Sequence, residues 1–365
     1  MPGIGVMPGW LNGPTLTEAP DAVQAIAWHP TQARCTVGLV GGEVLDWDLE
    51  DLVLRPRRAH EEGLLALIWS PSGDRLATAG QDGVVRVWHH DGHLLATLTQ
   101  QTAWIHALAW SSDGGWLAVG SGRYLELWDL RATEAVCVAR KGPHASTISD
   151  ITWLPAKAGV AVAAYGGVTI WPSPESGSIG SQLKGLLFAS DGEASRHLPF
   201  KGSLLKLAVS PDGRFYATGN QDGTVHLWYA TSGQDLEMDG YATKVRELAW
   251  DPRSRFIATG GSEDVTIWDM RGRGPAGSKP LVLEGHEAFV TALDCQPVGD
   301  LLASCGRDGR VCFWRPMRGP DLRGRELQGM LKLGEPAVGV SWRPDGKQLV
   351  AAGQDGRLLT VRVNR

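Results

Sequence analysis

A short apolar segment closed by an anchoring residue, usually tryptophan, and followed in most copies by a proline- or Asp-Gly-containing turn, is written eight times along this chain of 365 residues. The copies are "AIAWHP" (25–30), "LIWSPSG" (67–73), "ALAWSSDG" (107–114), "DITWLP" (150–155), "KLAVSPDG" (206–213), "ELAWDP" (247–252), "ALDCQP" (292–297) and "GVSWRPDG" (339–346). Their anchors are Trp28, Trp69, Trp110, Trp153, Val209, Trp250, Cys295 and Trp342, spaced by 41, 41, 43, 56, 41, 45 and 47 residues. Length alone would suggest two or three domains, but self-similarity at this period calls for one array of stacked units.

Each unit reads as short strands separated by Pro/Gly/Asp turns. In "LATAGQDGVVRVW" (76–88) a polar Gly-Gln-Asp-Gly turn joins two β-forming runs, a hairpin signal. The turn recurs as "GNQDG" (219–223), "CGRDG" (305–309) and "AGQDG" (352–356). Four such aspartates could be a ring of acids or one structural turn copied, and the shared register favours the turn. A second tryptophan closes seven units (Trp47, Trp88, Trp128, Trp171, Trp228, Trp268, Trp314), and Val361 stands in that slot in the eighth. Sixteen tryptophans and 47 glycines against five tyrosines fit many short strands and tight turns better than long helices.

A period of about 40–45 residues with four short strands per unit is the pattern of propeller blades. With "LWDL" (127–130) and "IWDM" (267–270) at the ends of units, the chain resembles the WD40-repeat family from about Asn12 to Arg365. The resemblance implies an all-β propeller of four-stranded blades; the count of copies makes it eight, with seven, the family's commoner number, as the alternative. It also implies a hydrogen-bonded tetrad of His, Ser/Thr, Asp and Trp, matched in full by His60, Thr78, Asp82 and Trp88 and by His286, Ser304, Asp308 and Trp314. The other units keep parts of it: Thr218, Asp222 and Trp228; Asp355; His144 and Trp171; Thr259 and Trp268.

The last unit lacks one strand, while "TLTEAPDAVQAIAW" (15–28) aligns without gaps to "TLTQQTAWIHALAW" (97–110). Residues 11–17 are therefore expected to complete the last blade and leave no edge at the seam. The expected organisation is an extension over 1–10 and a single propeller domain over 11–365. The long loop 172–196 is read as a tolerated insertion, with "GLLFAS" (185–190) as the outer strand of its blade.

Strand order puts the loops before each first strand on the same face as the Gln-Asp-Gly turns. The resemblance makes that face, with the channel mouth, the usual partner surface. Gln81, Gln221, Arg307 and Gln354 precede the turn aspartates and are expected to point outward. Trp104 and Phe289, each six residues before its anchor, are candidate aromatic hot spots, with Arg246 and His106 on the rim. The alternative for the two aromatics is packing against neighbouring loops.

The reading that follows is a non-catalytic scaffold or adaptor for other proteins or peptides, as a monomeric ring or a subunit of a larger complex. No cofactor is implied. A net charge of −5 argues against nucleic acid, and no apolar run approaches the ~20 residues of a membrane span. Basic runs such as 315–325 are read as solvated loops. Five cysteines without a CxxC pair, and no signal-peptide pattern at the N-terminus, point to a cytoplasmic protein.

The reading from another class is a propeller enzyme or metal-binding protein using the axial channel or "WHHDGH" (88–93). Zinc sites do cluster histidines, but the side chains of His89, His90 and His93 are expected to splay apart around an Asp-Gly turn, so no ligand set is assigned. The sequence also holds none of the GxSxG, HExxH or P-loop motifs that would mark an enzyme.

Overall fold

In a computed structural model the chain is described over residues 7–100, 104–155, 159–174 and 196–364. It forms eight four-stranded antiparallel sheets arranged as the blades of a propeller, with no α-helix among the described residues. Blade 1 spans residues 23–58, blade 2 residues 64–100, blade 3 residues 107–141 and blade 4 residues 150–199. Blade 5 spans residues 204–238, blade 6 residues 247–283, blade 7 residues 290–332, and blade 8 begins at Ala337.

The ring closes as the repeat alignment requires. Leu11–Glu18 pairs with Arg357–Val363, from Leu11 opposite Val363 to Glu18 opposite Arg357, and becomes the outer strand of blade 8. Closure leaves no unpaired strand edge at the seam, where a free ladder would template association.

The core is divided among the blade junctions. Eight apolar clusters each join residues of two neighbouring blades. One of them spans the seam, setting Val350, Ala352 and Leu358 of blade 8 against Val37, Leu39 and Trp47 of blade 1. Every blade thus buries one face against each neighbour, which is why a single repeat has no core of its own.

Five of the six anchoring tryptophans, all but Trp250, lock these junctions through their indole N–H. Trp28, Trp110, Trp153 and Trp342 donate their indole N–H to the carbonyls of Ser341, Ile68, Ala109 and Asp294, at 2.9, 3.3, 2.9 and 3.1 Å. Each acceptor immediately precedes the anchor of the preceding blade. Trp69 turns instead to Thr36 Oγ1 at 3.2 Å.

Two local features differ from expectation. The outer strand of blade 4 is Arg196–Pro199, paired with Gly167–Trp171, so "GLLFAS" does not hold that place and lies, with the rest of 175–195, outside the described residues. The basic run after blade 7's third strand contains a small hairpin, Met317–Arg318 against Asp321–Leu322, with Met317 buried under it.

Candidate functional site

The Gln-Asp-Gly turns are four-residue turns at one end of the ring. In blade 2 the Gly83 N–H closes on the Gly80 carbonyl at 3.3 Å, and in blade 7 the Gly309 N–H closes on Gly306 at 3.0 Å. Gly309 sits at φ +70°, and a Cβ there would stand 2.7 Å from the Glu335 carbonyl, so no other residue fits without strain.

The two complete sets of tetrad residues are assembled. His60 Nδ1 lies 3.0 Å from Asp82 Oδ1, its Nε2 lies 2.9 Å from Thr78 Oγ1, and Trp88 Nε1 donates to that oxygen at 2.9 Å. In blade 7 the equivalent distances are 3.1 Å (His286–Asp308), 2.8 Å (His286–Ser304) and 2.8 Å (Trp314–Ser304). One proton arrangement satisfies every group: indole to hydroxyl, hydroxyl to Nε2, Nδ1–H to carboxylate. Burial pushes both imidazoles below their usual pKa, and hydrogen bonds hold both carboxyls low against the opposing effect of burial. The aspartates also accept the N–H two residues on, Val84 at 3.2 Å and Arg310 at 3.0 Å. These acids hold turns.

The partial copies resolve in different ways. In blade 6 Tyr241 takes the imidazole's place, nine residues before Trp250. Its hydroxyl is 2.7 Å from Thr259 Oγ1 and accepts Trp268 Nε1–H at 2.7 Å. In blade 8 Asp355 is exposed, and Glu335 Oε1 accepts the N–H groups of Asp355 and Arg357, both at 3.0 Å. In blade 5 Asp222 is exposed and accepts from Thr224, while Phe200 occupies the −9 slot and packs on His226. In blade 4 His144 packs edge-on to Trp171, and burial pushes its pKa down to about 4. Tyr241 was findable from register by looking beyond histidine. Glu335 was not, because it caps a turn some 20 residues away.

Of the four turn residues expected to point outward, Gln221, Arg307 and Gln354 are exposed and Gln81 is half-buried; the rim candidates Arg246 and His106 are exposed. Trp104 is 60 % and Phe289 50 % exposed, so neither is packed away against its neighbours. Three of the eight come together. Arg246, Phe289 and Arg307 line a cleft of about 540 Å³ between blades 6 and 7, with Thr243, Lys244, Gly261 and Thr291 completing the wall.

Glu247 lines the same cleft, one residue further down the inner strand of blade 6. Burial pushes its carboxyl up to about 7, against the pull of Lys206 and Arg246. Its register equivalents on blades 4 and 5 are Asp150 and Lys206, which pair at 3.2 Å; in the other five blades the slot is alanine or glycine. At this slot blades 4, 5 and 6 carry a charged group and the other five blades do not, which repeat-level reading missed.

On the opposite face, the turn after Trp88 departs from expectation. His89 Nδ1 and His93 Nδ1 lie 2.9 and 2.6 Å from the same Asp91 oxygen, and the two rings stack at 4.7 Å. The Gly92 N–H donates to the His89 carbonyl and the His89 N–H to the His93 carbonyl, each at 2.9 Å. The tight reversal thus carries both rings to one side, where an Asp-Gly turn was expected to splay them apart. The neighbouring His89 imidazole, above all, holds the Asp91 carboxyl down at about 2. His90 stacks on His89 at 4.2 Å but is not part of the converging set.

Comparison with known proteins agrees with this geometry. The profile of the WD domain, G-beta repeat (WD40), matches residues 53–89, 92–129, 195–229, 234–269 and 277–315. The WD repeat-containing protein slp1 of Schizosaccharomyces pombe is 23 % identical over 316 residues, covering 84 % of this chain and 52 % of that protein. The WD repeat-containing protein WDS homolog of Arabidopsis thaliana is 25 % identical over 273 residues, 71 % of this chain and 48 % of that one. THO complex subunit 3 of the same plant is 24 % identical over 260 residues, 69 % of this chain and 74 % of that one. The chain thus spans about half the length of the first two relatives.

Proposed function

The chain belongs to the WD40-repeat family, and from that premise we propose that it is a non-catalytic scaffold that receives a partner protein on the face of its Gln-Asp-Gly turns, at the cleft between blades 6 and 7. The observation carrying this reading is the half-exposed ring of Phe289 in a cleft edged by Arg246 and Arg307. An aromatic flanked by guanidinium groups offers apolar area together with planar donors, the combination enriched at interface hot spots. Lys244 adds a third cation at the edge. The rim thus favours an acidic or carboxylate-bearing segment with an apolar side chain to set against Phe289.

A scaffolding role is in keeping with the relatives, one of which is by its name a subunit of a complex. The two carboxylates most suggestive of an active site, Asp82 and Asp308, are bound into tetrads, which supports a non-catalytic reading. Five free thiols, four of them buried, fit a reducing compartment, and we place the protein in the cytoplasm. The test is native capture with mass spectrometry, comparing the parent with the double variant Phe289→Ala/Arg307→Ala. Proteins enriched by the parent should be lost from the variant while its melting temperature stays unchanged. An identical set of retained proteins would remove the cleft from the account.

A further inference from the structure

We propose that the hairpin closing the third strand of blade 2 binds one divalent transition-metal ion of the zinc type, through His89 Nδ1, Asp91 Oδ1 and His93 Nδ1. The three ligand atoms lie within 4.8 Å of one another, and the two nitrogens approach one carboxylate oxygen at 2.9 and 2.6 Å. Around a tetrahedral zinc with bonds near 2.0–2.2 Å, ligand atoms stand about 3.4 Å apart. The short contacts therefore need to open by less than about 1 Å, which small rotations of three exposed or half-buried side chains supply.

The backbone needs no rearrangement. The turn is held by the hydrogen bonds between residues 89, 92 and 93, and the His90 N–H donates to the Asp74 carbonyl at 2.9 Å. His89 Nδ1 is buried and stands 2.9 Å from Asp91 Oδ1. Two imidazoles and a carboxylate form a borderline-soft N/O set that suits zinc and its neighbours better than calcium or magnesium.

The charge nearby is tolerable for a cation. Arg57 of blade 1 lies against Gly92, yet its guanidinium stacks over Trp88 at 5.0 Å and sits 3.8 Å from Asp46. Three protein ligands leave one coordination position open to solvent, on the face opposite the cleft. A water, or a histidine, cysteine or carboxylate from another molecule, would fill it.

The experiment is calorimetric titration of the whole chain with zinc chloride in a non-chelating buffer. One equivalent should bind with an affinity in the micromolar range, and zinc should raise the melting temperature. His93→Ala and Asp91→Asn, both at exposed positions, should each weaken binding by at least about tenfold while melting like the parent without metal. The absence of heat up to about 100 micromolar zinc would overturn the proposal. So would binding that both variants leave unchanged, since that would place the ion on other histidines.

Discussion

The Tyr241 hydroxyl stands 2.7 Å from Thr259 Oγ1, where blades 2 and 7 hold an imidazole against a serine or threonine hydroxyl. The register is the same, nine residues before the anchor, but the relay runs differently. Trp268 donates to Tyr241, Tyr241 to Thr259, and Thr259 to the Thr266 carbonyl at 3.2 Å. Tyr241→Phe leaves the buried indole N–H unpaired, a cost of roughly 1–2 kcal/mol. Thermal denaturation should show a lower melting temperature for Tyr241→Phe, and an unchanged melt would show that the hydroxyl carries no load.

The four turn aspartates are not equivalent. Asp308→Ala removes the partner of His286 and the acceptor of the Arg310 N–H, and should destabilise by about 1–3 kcal/mol. Asp355→Ala touches an exposed side chain and should stay within about 0.5 kcal/mol of the parent. In blade 8 the vulnerable residue is Glu335, and Glu335→Ala should behave like Asp308→Ala. Denaturant unfolding of the three variants measures the ranking directly.

Residues 11–18 contribute a whole strand to blade 8, with Leu11 buried in the cluster shared by blades 7 and 8. Deleting residues 1–20 should expose the edge at Arg357–Val363 and unfold or aggregate the entire ring. Light scattering and circular dichroism of the truncated chain report this. A soluble, native-melting truncation would contradict the closure.

His144 carries a pH signature. Its folded pKa is pushed down to about 4, chiefly by burial, with His197 and Arg123 adding to the effect, whereas an unfolded histidine titrates near 6.5. Below pH 6.5 the unfolded chain takes up a proton that the folded chain refuses, so stability falls with pH down to about 4 and then levels. The loss from this group between pH 7.5 and 5 is on the order of 1–2 kcal/mol. Burial pushes Glu247 the other way, its contribution being largest in acid and fading as pH rises through about 7. His144→Phe should therefore flatten the acid side of the stability profile relative to the parent, as melting across that range would show.

Much of this molecule is legible because a repeat writes its rules several times. Trp28 through Trp342 mark one side of each blade junction, and the Asp-Gly turns mark one face. The alignment of residues 15–28 with 97–110 foretells the seam. What stays hidden depends on single side chains finding each other. Tyr241 replaces histidine with a chemically different group, and Glu335 reaches back to cap a turn from a separate loop. His89, Asp91 and His93 converge because the Asp-Gly turn folds back tightly, where the sequence pattern suggests that it splays its side chains. Blade 4's outer strand is hidden for another reason: the 56-residue spacing there gives no register by which to place it.

The central claim is that a partner protein sits on the Gln-Asp-Gly face at the cleft between blades 6 and 7. Lysines report on both faces: Lys244 edges the cleft and Lys201 precedes blade 5 on the same face, while Lys279 and Lys347 lie in loops of the opposite face. Amine cross-linking of the native complex, read by mass spectrometry, locates the partner whatever protein it is. The account predicts intermolecular cross-links at Lys244 and Lys201 that disappear with Phe289→Ala/Arg307→Ala. Cross-links confined to Lys279 and Lys347 and indifferent to that variant would contradict it.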